Sequence, residues 1–146
     1  MSDTIHASVA SLRGRGVLIR GRSGSGKSSL LLSLIEHAGA TLVADDRVYL
    51  VAHDAGLTAS PPATIAGQME IRGVGIVRKP YASSAPVDLV VDLLPLAECP
   101  RLPDESEAHA ILEGVAVPRI FVAIGAHDGV ARVLGALARP EAVVST

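Results

Sequence analysis

The chain has no tryptophan, one phenylalanine and two tyrosines. With so few aromatics it has no platform on which successive bases could stack, which excludes the usual kind of single-strand nucleic-acid binder. Charge gives nucleic acid no better footing. Its 13 Lys and Arg are outnumbered by 15 Asp and Glu, and the basic residues are dispersed rather than gathered in a stripe. The single cysteine, Cys99, rules out an internal disulfide and suits a reducing compartment. No apolar run approaches the roughly 18 residues of a membrane span, and no charged-then-apolar leader stands at the amino terminus. A soluble, cytoplasmic protein with no membrane partner is therefore expected. Internal repeats are also missing, so the 146 residues are expected to make one domain, 1–146, ending in a frayed tail over 139–146.

Aliphatic residues are plentiful. Hydrophobic residues reach 49%, mostly Val, Leu, Ile and Ala, as in a sheet buried on both faces. The expected fold is α/β, a central mixed or parallel sheet with flanking helices around a P-loop kinase-like core. The P-loop is the stretch Gly21-Arg22-Ser23-Gly24-Ser25-Gly26-Lys27-Ser28, which fits G-x-x-x-x-G-K-[ST]. It follows the apolar run 16–19 and opens a leucine-rich helical pattern over 29–37 that Gly39 is placed to stop, so the strand, loop and helix come in the required order. A flexible Gly/Ser turn would not explain Lys27 at a helix start, where a cation is unfavourable unless an anion is bound.

Around this loop, residues 5–12 and 17–20 read as a hairpin across the turn at 13–16, with His6 in its first strand. By spacing alone His6 is an ordinary strand histidine. A strand over 41–44 ends in Asp45-Asp46, at the edge where open α/β sheets place their ligands. Beside a P-loop, that pair suits a base for an acceptor hydroxyl and a charge partner for a metal. Residues 47–52 continue as a strand, and Pro61-Pro62 opens a short segment of one or two helical turns. Residues 69–77 read as one strand broken by Gly73 and Gly75, with Glu70 and Arg72 on one face. The strong strand over 87–94 ends near Asp92, a rival to Asp45 and Asp46 because Val90-Val91-Asp92 resembles a Walker B strand. Residues 95–107 read as an exposed loop carrying Arg101. A strand over 117–124 and a helix over 127–138, with Val130, Val133, Leu134 and Leu137 facing inward, complete the chain.

Three blocks in one order, the P-loop, Leu42-Val43-Ala44-Asp45-Asp46-Arg47-Val48 and Glu70-Ile71-Arg72-Gly73-Val74-Gly75-Ile76, resemble the catalytic domain of HPr kinase/phosphorylase. The resemblance implies a catalytic domain in short form, without the amino-terminal domain of longer members. It implies that Gly21, Arg22, Ser23, Gly24, Ser25, Gly26, Lys27 and Ser28 hold ATP, and that Ser28 and Glu70 ligate Mg²⁺. Asp46 would be the general base, assisted by Asp45, and His6 and Arg101 would be catalytic. HPr would be the protein substrate, with phosphate and pyrophosphate the small partners of a reverse phosphorolysis, and the assembly a homohexamer. The sequence departs from the family after Val77, where Arg78-Lys79-Pro80-Tyr81 replaces a run rich in glycine and alanine. It departs again at 117–120, where Arg119 is the one cation of a reduced segment.

Three other functions fit a P-loop. A transport ATPase of the ABC type would need a Leu-Ser-Gly-Gly signature and an Asp-Glu Walker B pair, and the chain has neither. A small-metabolite kinase would bring an arginine-rich lid. A catalytically inactive nucleotide-binding sensor would keep every binding motif and turn nothing over.

Overall fold

Residues 3–138 are described in the structure, a computed structural model. The tail expected over 139–146 lies outside them.

The order of elements follows the hydrophobic pattern closely at first. Strand β1 (Thr4–Ile5) and β2 (Ser8–Leu12) are separated by His6 and Ala7, so the single first strand expected from the sequence is broken at the histidine. Strand β3 (Arg15–Arg20) runs antiparallel to β2 and leads into the loop. Helix α1 (Lys27–Ala38) then carries Leu30, Leu31 and Leu34 to the core and ends at Gly39, whose φ of 77° supplies the left-handed stop. Strands β4 (Thr41–Ala44), β5 (Val48–His53) and β6 (Gly56–Ser60) follow. Residues 63–67 form turns rather than a helix.

The expected single strand over 69–77 is instead a separate two-stranded hairpin, β7 (Gln68–Ile71) and β8 (Gly75–Arg78), paired Met69 to Val77 and Ile71 to Gly75. The two glycines that weakened the strand pattern serve the turn, where Gly73 has φ 84° and Gly75 φ 122°. Strand β9 (Ala85–Leu94) is the longest. The loop after it holds a short 3₁₀ turn, Leu96–Glu98, and an unexpected strand β10 (His109–Leu112), which pairs with β11 (Val115–Ala123). Helix α2 (Gly129–Leu137) buries Val133 fully but leaves Leu134 40% exposed, so Leu134 is not the inward residue its spacing suggested.

The main sheet runs β1-β5-β6-β9-β3-β2-β4, with β11 joined to β9 and β10 to β11. Strand β9 organises it. One edge of β9 pairs in parallel with β3 along its length, while the other pairs first with β6 at Ala85 and Pro86 and then with β11 from Val90 to Leu94. The β3–β9 approach is so close that a Cβ at Gly16 would stand 1.9 Å from the Pro86 carbonyl oxygen. One face of the curled sheet encloses Val9, Leu18, Val43, Leu50, Leu57 and Val90. The other carries α1, α2 and the hairpin over Val17, Ile19, Leu31, Leu34, Met69 and Val91. Parallel strands β3, β9 and β11 thus end together, beside the start of α1.

Candidate active site

The loop that leaves β3 depends on its glycines. Gly24 and Gly26 have φ of 80° and 98°, and a Cβ at Gly21 would stand 2.4 Å from the Ser25 hydroxyl oxygen. Gly26 caps α1 without a side chain, and the first turn holds no acid. The free N–H groups of that turn and its dipole therefore favour an anion. Lys27 is 5% exposed, and its ammonium donates to the carbonyls of Gly21 at 2.9 Å and Arg22 at 3.2 Å. Its charge is thereby held over the loop.

Opposite the loop, β4 ends and the backbone turns sharply, since Asp46 adopts φ 74°. A non-glycine residue in this region costs roughly 1–2 kcal/mol, which asparagine and aspartate tolerate best. The turn sends two adjacent carboxylates in different directions. Asp45 points inward, 9% exposed, and accepts hydrogen bonds from the Ser28 hydroxyl at 3.0 Å, the Ser8 hydroxyl at 3.1 Å and the Glu70 N–H at 3.2 Å. Asp46 points outward, its side chain 60% exposed, and its Oδ1 lies 2.5 Å from Nε2 of His6. An ionised carboxylate only accepts, so Nε2 carries the proton of that bond. Ser8 also takes the Asp46 N–H at 3.0 Å, which ties the two aspartates to one buried hydroxyl.

Sequence reasoning missed Ser8. A serine opening a loosely alternating strand carries no signal of its own, and only the fold shows that it is fully buried between two acids.

Lys27, Ser28, Asp45, Asp46, Glu70 and Arg72 line one open cleft of about 800 Å³, together with Arg47. Of the expected site residues, Ser23, Gly24, Gly26, Lys27, Ser28, Asp45, Asp46 and Glu70 are therefore brought together, with His6 joined through its bond to Asp46. Arg101 is exposed in the loop after the 3₁₀ turn and does not line this cleft. Asp92, the rival acid, lies on β9 beneath two arginines. Arg20 grips it at 2.8 and 2.9 Å, and Arg119 reaches it at 3.3 Å while stacking over the Phe121 ring. The hydrogen bond to Asp92 raises the Arg20 pKa, with burial opposing and the Asp92 charge adding to the rise. Asp92 is thus a structural ion-pair residue, and Arg119 is committed to it.

Among the described residues, no three His, Cys, Asp or Glu side chains form a protein-only metal cage. Mg²⁺ needs none, because it binds through one or two protein groups together with water and phosphate oxygens. The oxygen donors Ser28, Asp45 and Glu70 beside the loop fit that hard cation.

Comparison with known proteins identifies the family. The family model described as HPr Serine kinase C-terminal domain matches residues 1–143. An HPr kinase/phosphorylase of Limosilactobacillus reuteri is 36% identical over 132 residues, covering 83% of this chain and 41% of the relative. One from Streptococcus thermophilus is 37% identical over 148 residues, covering 92% and 47%. The chain thus spans less than half the length of these curated relatives. The solved structure of the Hpr(Ser) kinase/phosphatase from Coxiella burnetii superposes with a TM-score of 0.77 at 29% identity, covering 93% of this chain and 88% of that one. With a matching family model across nearly its whole length and a matching fold, the chain belongs to the HPr serine kinase C-terminal domain family.

Proposed function

We propose that this chain transfers the γ-phosphoryl group of ATP to a serine of the phosphocarrier protein HPr, and that the same cleft carries out phosphorolysis of phosphoserine-HPr. The observation that carries this reading is the placement of Asp46. It is a half-exposed carboxylate held by His6 at the rim of the P-loop cleft, while its neighbour Asp45 is engaged by Ser8, Ser28 and Glu70.

A serine hydroxyl is a weak nucleophile at its own pKa, so a carboxylate must receive its proton as the new oxygen–phosphorus bond forms. Asp46 is free to do so, and its bond to His6 fixes the oxygen that points elsewhere. As the bond between the γ-phosphorus and the bridging oxygen breaks, ADP leaves. Lys27 and the α1 N–H groups offset the charge that spreads over the phosphoryl oxygens. Arg47 and Arg72 are the further cations of the cleft. Ser28, whose hydroxyl Asp45 accepts, and Glu70 would hold Mg²⁺, and the bound ion would supply positive charge against the phosphates. In phosphorolysis, inorganic phosphate in the same anion loop attacks the phosphoserine phosphorus, the bond from phosphorus to the serine oxygen breaks as Asp46 returns its proton to that oxygen, and pyrophosphate leaves.

A protein acceptor suits the rim. Val74 and Ile76 of the hairpin are 70% and 69% exposed, and Ile76 lines the cleft beside Glu70 and Arg72. That apolar edge is wasted on a small polar metabolite. A cytoplasmic hexamer goes with this reading and is measurable by analytical ultracentrifugation.

The test is to incubate the chain with labelled ATP, Mg²⁺ and HPr, and to measure label on an HPr serine and free phosphate together. Label on serine is the expected result. Phosphate release indifferent to HPr would make the chain an ATPase, and ATP binding without either product would make it a sensor.

A further inference from the structure

Three consecutive residues close on one aspartate. Strand β1 ends at Ile5 and β2 begins at Ser8, which leaves His6 and Ala7 outside both strands. Nε2 of His6 holds the Asp46 carboxylate, the Ala7 N–H donates to the Asp46 carbonyl at 3.1 Å, and the Ser8 hydroxyl accepts the Asp46 N–H at 3.0 Å. The side chain, carbonyl and amide of Asp46 are thus each held from one short segment. The strand ladder does not supply these bonds, because the β2–β4 pairing stops at Val9 with Ala44.

We infer that Ser8 is a positioning residue for phosphoryl transfer and acts through Asp46. The inference rests on the function proposed above and names what aims its base. A hydroxyl has one proton to give. Because the Asp46 N–H can only donate, Ser8 receives it on a lone pair, and the hydroxyl proton goes to Asp45 Oδ1 at 3.1 Å. The same Oδ1 accepts from the Ser28 hydroxyl at 3.0 Å. A chain of hydrogen bonds therefore runs from Ser28 at the start of α1, through Asp45 and Ser8, to the backbone of Asp46.

Two further observations support the assignment. Asp46 sits at φ 74°, a conformation disfavoured for a residue with a Cβ, so its peptide relaxes readily once the N–H loses its acceptor. Ser8 is fully buried and does not line the cleft, so it touches neither ATP nor HPr. Its loss therefore leaves the anion loop intact and moves the carboxylate at the rim, where a displacement of about 1 Å lowers a rate by roughly 10²-fold.

Ser8→Ala deletes the hydroxyl with little change of volume, whereas Ser8→Thr keeps it and adds a methyl group to a packed site, the larger demand on the fold. The kinetics of HPr phosphorylation are measured for both, with ATP affinity by calorimetry and unfolding in urea. For Ser8→Ala the expected outcome is a kcat lowered by about 10- to 100-fold with the Kd for ATP changed by less than about twofold. Folded Ser8→Thr is expected to keep more of kcat than Ser8→Ala, although it is the greater packing change. A kcat for folded Ser8→Ala within about twofold of the unmodified chain overturns the assignment.

A double-mutant cycle guards against a Ser8→Thr that misfolds. If Ser8 acts through the Asp46 carboxylate, Ser8→Ala placed in an Asp46→Asn chain lowers the residual rate by less than about twofold. An equal loss in both backgrounds makes Ser8 a purely structural residue and overturns the assignment. An unmodified chain that puts no label on HPr overturns the reading of function, and this inference with it; an active chain indifferent to Ser8→Ala overturns this inference alone.

Discussion

Asp45 and Asp46 share a peptide bond and little else. One is a buried acceptor for three donors, and the other a half-exposed carboxylate paired with a histidine 40 residues earlier. Replacing Asp45 by Asn removes one acceptor oxygen and leaves a buried donor unsatisfied, so Asp45→Asn should destabilise the fold by about 1–3 kcal/mol. Urea unfolding measures this. The effect should exceed that of Asn at position 46, which keeps the left-handed turn because Asn adopts it as readily as Asp. Glu70→Gln keeps the backbone bond to Asp45 while deleting a charge at the cleft. It should raise the Mg²⁺ concentration needed for half-maximal activity with unfolding unchanged. An unaltered Mg²⁺ titration would remove Glu70 from the metal site.

The acid pair was legible in the sequence because it sits where a strand must end, next to a loop with a strict local pattern. Its division of labour was not, because it depends on Ser8, His6 and Glu70, which reach Asp45 and Asp46 only through the register of β2 and the placement of β7.

The hairpin β7–β8 shows what periodicity cannot decide. Residues 69–77 alternate as a strand does, and two glycines within the run serve equally as strand defects or as a turn; pairing between Met69 and Val77 selects the turn. The hairpin lies outside the main sheet and is held by Met69, 1% exposed against the α1 side of the core. Lys79 adds a hydrogen bond to Glu36 on α1 at 2.7 Å, which holds the Glu36 carboxyl below its usual pKa. Met69→Ala should therefore cost about 2–5 kcal/mol of stability. It should also loosen the strand that carries Glu70, so that KM for Mg²⁺-ATP rises in the fraction that stays folded. Unchanged kinetics in that fraction would show that Glu70 does not depend on this anchor. By contrast, α1 and β3 were legible to within two residues, because a P-loop, a leucine face and a stopping glycine mark both ends locally. Strand β10, four residues of mixed polarity, exists only because β11 pairs with it.

At the scale of the molecule, the two core clusters lie on opposite faces of one sheet and share β3 and β9, with Leu18 and Val90 in one and Val17, Ile19, Leu89 and Val91 in the other. We propose that the chain unfolds as a single unit, with circular dichroism and amide exchange giving one coincident transition; two separated transitions would show that the faces are independent. The same sheet brings the loop after β3 and the end of β4 to one cleft, and the central claim is that this one cleft both adds and removes the phosphoryl group on HPr. The direct measurement is the rate of HPr phosphorylation by ATP, and of pyrophosphate formation from phosphoserine-HPr and phosphate, for the unmodified chain and for Asp46→Asn at saturating substrates. A single base at a shared site requires both rates to fall by roughly 10²- to 10⁴-fold. A variant that loses one reaction and keeps the other at full rate would contradict it.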